Sequence, residues 1–236
     1  MRTPQEMVKY VAIKSANCWI YPAFGHSFLQ KREGVQTPCA VIDPGSDAKL
    51  IIRQLNELNA YVRVFLLTHG HFDHVGALPE LAAYYAEQEG GVEIAIHRDD
   101  AAYLGPDSLE VHRRCWVQAA GNTDYIDKFW RLMPSPTRLI GEGDYVGSLR
   151  VLHLPGHSPG SVAFYDESAS LVFTGDCLFR YSFGRYDLPG GDKARLAESL
   201  QRLWALDDAV SVYPGHGEAS TIGAERLYGE DAYFFH

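Results

Sequence analysis

No stretch of this chain is both long and apolar enough to span a bilayer, which excludes a helical integral membrane protein. Cysteine is sparse. The four present, Cys18, Cys39, Cys115 and Cys177, are scattered and form no C-x-x-C pair, so neither a zinc ribbon nor a dithiol redox motif is available. Positive charge is also short, with 21 Lys and Arg against 30 Asp and Glu, a formal net charge of −9 and a pI near 5.5. That balance offers no basic face to a nucleic-acid backbone and disfavours an anionic membrane as partner. Residues 1–10 lack a charged segment followed by a long apolar stretch, so no signal peptide is expected and a reduced, cytoplasmic protein is. No low-complexity segment or linker divides the chain. What remains is an ordinary globular composition, 46% hydrophobic and 22% charged, in 236 residues. That length suffices for one layered α/β domain spanning 1–236.

The pattern of short apolar runs and helical periodicities gives the order of elements. Strands are expected at 8–14, 17–21, 39–42 and 62–67, with a helix after Ser46 or Asp47 that places Leu50, Ile51, Leu55 and Leu58 at helical spacing. A helix over 75–89, closed by Gly90-Gly91, leads to a strand at 92–96. From 97 to 139 the character changes to helices rich in Tyr, Trp and Phe, read as a helical insertion. It is either a lid over a site or a contact between copies of the chain in a homo-oligomer. Strands resume at 145–146, 149–154, 161–165, 170–174 and 210–213, with a helix capped by Asp192 and a last helix at 220–227. Strand runs followed by helices occur twice, so the expected class is α/β with two halves.

Chemistry concentrates in Thr68-His69-Gly70-His71-Phe72-Asp73-His74, directly after an apolar strand. His69 and His71, two apart, point the same way in an extended segment, while Asp73 and His74 enter the following helix. So many ligands in one short loop suit two ions about 3.5–4 Å apart better than one. Three later residues share this context, each just after a strand and beside glycine: His157 in Pro155-Gly156-His157, Asp176 in Thr174-Gly175-Asp176 and His216 in Pro214-Gly215-His216. A lone histidine in a loop is ordinarily solvated, but the seven residues partition cleanly. His69, His71 and His157 can hold one ion; Asp73, His74 and His216 can hold another; Asp176 can bridge. His26, His97, His112, His153 and His236 have no such context.

The pattern H-x-H-x-D-H followed by His, Asp and His after strands resembles the metallo-β-lactamase superfamily. The likeness extends to Asn17-Cys18-Trp19 and Val41-Ile42-Asp43-Pro44-Gly45. Gly175-Asp176-Cys177-Leu178-Phe179 and Gly184-Arg185-Tyr186-Asp187-Leu188-Pro189-Gly190-Gly191 are similar to the glyoxalase II-like branch, which usually has Thr where Tyr186 stands. The resemblance implies a four-layer αββα sandwich with the metals at one edge. It implies two divalent ions, zinc first, with iron or manganese as alternatives. It also implies hydrolysis of a small-molecule thioester, such as an S-acylglutathione, or of a related ester by a metal-bridging hydroxide. Asp73 would serve as both ligand and orienter of the nucleophile. A thioester suits such a site because thiolate departs without a proton. The alternatives are a mononuclear iron persulfide dioxygenase using His69, His157 and Asp176, and a lactonase or β-lactamase-like hydrolase.

Glyoxalase II enzymes draw much of their glutathione contact from a C-terminal helical domain, and only twenty residues follow His216 here. The insertion is therefore expected to supply a pocket wall, through at least one of Tyr103, Trp116, Tyr125, Phe129 and Trp130. Asp43 either orients a ligand histidine or simply makes the Asp-Pro-Gly turn. Arg185 and Asp187 read as a loop-fixing ion pair ahead of a substrate contact, and Cys177 as structural.

Overall fold

The computed structural model describes residues 8–11, 15–25, 35–86 and 91–232. The expected strand residues 12–14, the end of the 75–89 helix with Gly90, and His26 and His236 lie outside them. Two six-stranded sheets form the centre. The first runs β1 (Lys9–Val11), β2 (Cys18–Tyr21), β3 (Thr37–Ile42), β4 (Ala60–Leu66), β5 (Glu93–His97) and β6 (Arg138–Ile140), antiparallel up to β3 and parallel from there. The second has the order β14-β13-β10-β9-β8-β7, built from β7 (Tyr145–Val146), β8 (Leu149–His153), β9 (Val162–Asp166), β10 (Leu171–Gly175), β13 (Ser211–Pro214) and β14 (Ser220–Thr221). A small hairpin, β11 (Leu178–Phe179) with β12 (Ser182–Phe183), follows β10.

Alternating side chains divide the core into layers. Ala40, Ile42, Val64 and Leu66 of the first sheet meet Val151, Phe164, Leu171 and Phe173 of the second. The outer face of the first sheet, with Cys39, Val41 and Phe65, packs on α1 (Ala48–Glu57) and α3 (Leu78–Ala86) through Ile51, Leu55, Leu78 and Leu81. The outer face of the second, with Val172 and Leu154, packs on α6 (Lys193–Trp204) and α7 (Ile222–Ala232) through Leu196, Leu200, Leu203 and Ile222. The layers are helix, sheet, sheet, helix, as the resemblance implies. One bulge keeps β4 in phase. Cys39 pairs with Val62 but Ala40 with Val64, so Arg63 is extra, and Val62 faces the helices while Val64 faces the other sheet.

Several boundaries differ from expectation. The 75–89 helix is two pieces, α2 (Phe72–Val75) and α3, parted at Gly76-Ala77, where Ala77 N–H donates to Pro44 O at 3.0 Å. A Cβ on Gly76 would lie 2.6 Å from Gly45 O, so the chain must pass here without a side chain. The segment between β5 and β6 holds a 3₁₀ helix (Arg98–Tyr103), α4 (Leu109–Ala120) and α5 (Asp124–Phe129). It stops before Leu139, which belongs to β6 and pairs with Ile96. The last helix of that segment ends at Phe129, because Trp130 is already extended and Pro134 and Pro136 follow. Of the two cap candidates for α1, Asp47 does the capping, its carboxylate accepting from Leu50 N–H.

Candidate metal centre

The seven residues singled out in the sequence lie at one edge of the two sheets. Three sets among them each bring their ligand atoms within 4.8 Å of one another. One is His69, His71 and His157; another is Asp73, His74 and His216; the third, His69, His74 and Asp176, overlaps the first two. Asp176 lies between them, with Oδ1 at 3.2 Å from His74 Nε2 and Oδ2 at 3.6 Å from His157 Nε2 and 3.5 Å from His216 Nε2. Asp73 Oδ2 is 3.3 Å from His216 Nε2. The backbone approaches closely at Gly215, where a Cβ would fall 2.2 Å from Asp176 Oδ1.

Hydrogen bonds around the cluster aim the rings. Asp43, 1% exposed and in the left-handed region at φ 51°, accepts from Thr68 N–H at 2.8 Å, Thr68 O–H at 2.6 Å and His74 Nδ1–H at 2.9 Å. It both makes the turn and fixes the His74 tautomer, leaving Nε2 to face the cluster. With its proton on Asp43, Thr68 Oγ1 accepts from His69 Nδ1–H at 3.0 Å. His157 Nδ1–H donates to Arg185 O at 2.6 Å, which leaves its Nε2 facing His71 Nδ1 at 2.8 Å. The His216 loop is tied down from the far end of the chain. Asn17 Nδ2 donates to Pro214 O at 3.0 Å and to Gly217 O at 2.8 Å, and Trp19 Nε1 donates to Pro214 O at 3.1 Å.

Whether the cluster suits metal is tested by its own unsatisfied atoms. His69 Nε2, His71 Nε2, His74 Nε2 and Asp176 Oδ1 are all buried and make no hydrogen bond. Buried polar atoms without partners are rare, and those of His69, His74 and Asp176, three residues whose ligand atoms converge, mark a place where something else satisfies them. Five imidazoles and two carboxylates are a donor set for divalent transition metals. The electrostatics agree. Burial and the neighbouring histidines push the His71 pKa down to about 3 and hold that of His69 well below the usual range, so both present neutral rings. Burial would raise the Asp73 pKa, but His74 and His216 bring it down to about 2. Asp176 is held well below the usual carboxylate range against its burial, chiefly by His74 and His216.

A cleft of about 210 Å³ opens onto the cluster. Its far wall is α4, through His112, Cys115, Trp116 and Ala119, with Phe72, Leu188 and Arg185 completing it. Trp116 therefore meets the expectation that an aromatic of the 97–139 segment lines the pocket. Tyr103 instead lies beneath the site, edge-on to His71 at 5.6 Å. Tyr125 stacks on Trp116 at 4.7 Å and is partly exposed, as is Phe129. Arg185 makes the expected bidentate pair with Asp187, at 2.7 and 2.8 Å, and also reaches the cleft. Cys177 points into the outer core and not at the cluster.

No local motif marks His112. It is 1% exposed and lines the cleft, with Nε2–H donating to Tyr103 O at 2.9 Å and its pKa pushed down to about 4 by burial. Nor does a motif mark His97 and His153, which with Asp99 form another close group. Those two rings are stacked, 4.0 Å and 15° apart, so their in-plane lone pairs run side by side and do not converge. His97 Nδ1 already accepts from Asp99 N–H and His153 Nε2–H donates to Pro159 O. That group is a packing contact between the ends of β5 and β8.

The model of the metallo-beta-lactamase superfamily matches residues 22–216. The chain belongs to that superfamily. Among its relatives is the hydroxyacylglutathione hydrolase GloC of Haemophilus influenzae, 35% identical over 79% of this chain and 84% of that protein. The probable metallo-hydrolase YqgX of Bacillus subtilis is 32% identical over 80% of this chain and 84% of its own. Among solved structures, TTHA1623 in a di-iron-bound form superimposes with a TM-score of 0.74 at 33% identity, covering 93% of this chain and 96% of that one. The B3 metallo-beta-lactamase BLEG-1 gives a TM-score of 0.73 at 27% identity, covering 94% and 97%. With these relatives and its histidine–aspartate cluster, this member of the metallo-beta-lactamase superfamily is a metal-dependent hydrolase. Among its described residues no helix is long and apolar enough to cross a membrane.

Proposed function

We propose that this chain hydrolyses a small thioester of the S-(hydroxy)acylglutathione type at a two-ion site. His69, His71 and His157 hold one ion, Asp73, His74 and His216 hold the other, and Asp176 touches both. The observation that carries this reading is the pair of ligand sets joined through Asp176, with buried atoms of His69, His74 and Asp176 lacking any hydrogen bond. A mononuclear iron dioxygenase would use His69, His157 and Asp176 while keeping the other motif residues, so ion count and oxygen uptake separate the two readings. When bound, the ion pair supplies hydroxide at neutral pH and polarises the scissile carbonyl.

The chain's own groups do the rest. Asp73 lines the cleft and is ionised at neutral pH, so it accepts a hydrogen bond from the attacking water and orients it. Trp116, Phe72 and Leu188 hold the apolar part of the substrate and exclude water. Arg185 places a cation at the cleft for a carboxylate on the departing thiol. No general acid is needed, because thiolate leaves unprotonated. The donor set suits zinc and ferrous iron alike, and the 33% identical di-iron structure puts iron beside zinc as a candidate ion. Four buried, unpaired cysteines suit a reducing compartment such as the cytoplasm.

The test is a panel of S-lactoylglutathione, a simple lactone, a β-lactam and glutathione persulfide, with thiol release and oxygen uptake followed in parallel. Thiol release from the thioester without oxygen uptake is the expected result. Oxygen uptake with the persulfide, or turnover of the β-lactam alone, would overturn the thioesterase reading.

A further inference from the structure

Asp100 belongs to neither ligand set, yet it is wholly buried at the site's back, in the 3₁₀ helix that follows β5. Its partners all come from the two loops that carry the first set of histidines. Oδ2 accepts from Gly70 N–H at 3.0 Å and from Ser158 O–H at 2.7 Å; Oδ1 accepts from Gly160 N–H at 2.7 Å. Gly70 sits between His69 and His71, and Ser158 follows His157. One carboxylate thus spans two loops whose histidines lie as close as 2.8 Å, His71 Nδ1 to His157 Nε2.

The fit is tight on both sides. A Cβ on Gly160 would lie 2.7 Å from Asp100, and one on Gly70 would lie 2.3 Å from the Tyr103 ring, in the same 3₁₀ helix. The helix therefore seats directly on both loops, at two points where neither has a side chain. All three partners are donors, and only a carboxylate offers acceptors alone. An amide in its place would turn an N–H₂ toward at least one backbone N–H, whichever way it was flipped. The first ligand set contains no carboxylate of its own, so the charge of Asp100 also favours a cation there.

We propose that Asp100 is a positioning residue that locks the His69–His71 loop to the His157 loop and so fixes the spacing of the three-histidine set. This rests on the two-ion reading above. Asp100 does not touch substrate or ion; it acts through the loops. Partners of metal ligands of this kind typically alter affinity about 10–100-fold.

The experiment measures metal content and the rate of ion release to a chromophoric chelator for the zinc-loaded wild type, Asp100→Asn, Ser158→Ala and His216→Ala. His216→Ala assigns the release phase that belongs to the second set. Asp100→Asn is expected to accelerate the other phase about 10-fold or more and leave the second-set phase unchanged. Ser158→Ala, which removes one donor and strands no charge, is expected to accelerate the same phase by a smaller factor. Asp100→Asn identical to wild type, or equal acceleration of both phases, would overturn the proposal. Should Asp100→Asn fail to fold, Ser158→Ala decides alone, an unchanged rate standing against the proposal. A wild type holding fewer than two ions contradicts the two-ion reading itself, whereas two ions in wild type and no change in either variant contradicts only the role of Asp100.

Discussion

Asp43 shows how much of this site depends on residues that hold ligands and are not ligands. Its three accepted hydrogen bonds set the His74 tautomer and anchor Thr68 beside His69. Asp43→Ala is expected to lower metal affinity by roughly 10–100-fold while the seven ligands remain, measurable by competition with a chelator. Wild-type affinity in that variant would refute the orienting role. Asp176 is a stronger case. Its two oxygens face both ligand sets, so Asp176→Ala is expected to cost an ion and to reduce turnover beyond that range, with circular dichroism unchanged. Trp116→Ala should instead raise KM severalfold with both ions retained, since Trp116 lines the cleft and has no metal-binding atom. The seven clustered residues were legible because each sits just after a strand, in a short segment of recognisable spacing. Asp100, His112 and the contacts of Asn17 were not. Asn17 meets partners about 200 positions away and Asp100 up to 60, and no local pattern encodes such pairings.

Among the elements, the long strands and amphipathic helices were readable from their periodicity, and the short ones were not. β6 has three residues and takes its identity from pairing with β5, so the sequence reading absorbed most of it into the helical segment before it. The break between α2 and α3 escaped notice because the pattern around Gly76 continues a helix. What forbids the continuous helix is Gly45, packed against Gly76 from another loop. That contact predicts that Gly76→Ala destabilises the fold by about 1–3 kcal/mol, as overpacking usually does. It should also loosen Asp73 and His74, which lie on α2. Urea unfolding and metal content would show both effects, and an unchanged midpoint would refute the contact.

At the scale of the whole molecule, two sheets back to back expose one common edge, and both halves deliver residues of the histidine–aspartate cluster to it. The order of strands and helices revealed the two halves; the way they face each other became evident only from which residues share the inner core. Global stability should carry the mark of His112, buried and neutral behind the cleft. Its folded-state pKa of about 4 lies below the unfolded value near 6.5, so between those values the unfolded chain binds more protons. Its contribution is fully present above pH 6.5 and is lost as the pH falls toward 4, a swing on the order of 3 kcal/mol. His112→Gln should flatten the stability–pH curve in that window; parallel curves would contradict the assignment.

On this reading, seven residues from both halves build one two-ion site. Crystals of the metal-loaded protein, with anomalous scattering collected at the metal edge, test it most directly. Two peaks are expected, one within about 2.0–2.2 Å of nitrogens from His69, His71 and His157, the other against Asp73, His74 and His216, with Asp176 reaching both. A single peak, or a second one that leaves His216 and Asp73 uncoordinated, would contradict it.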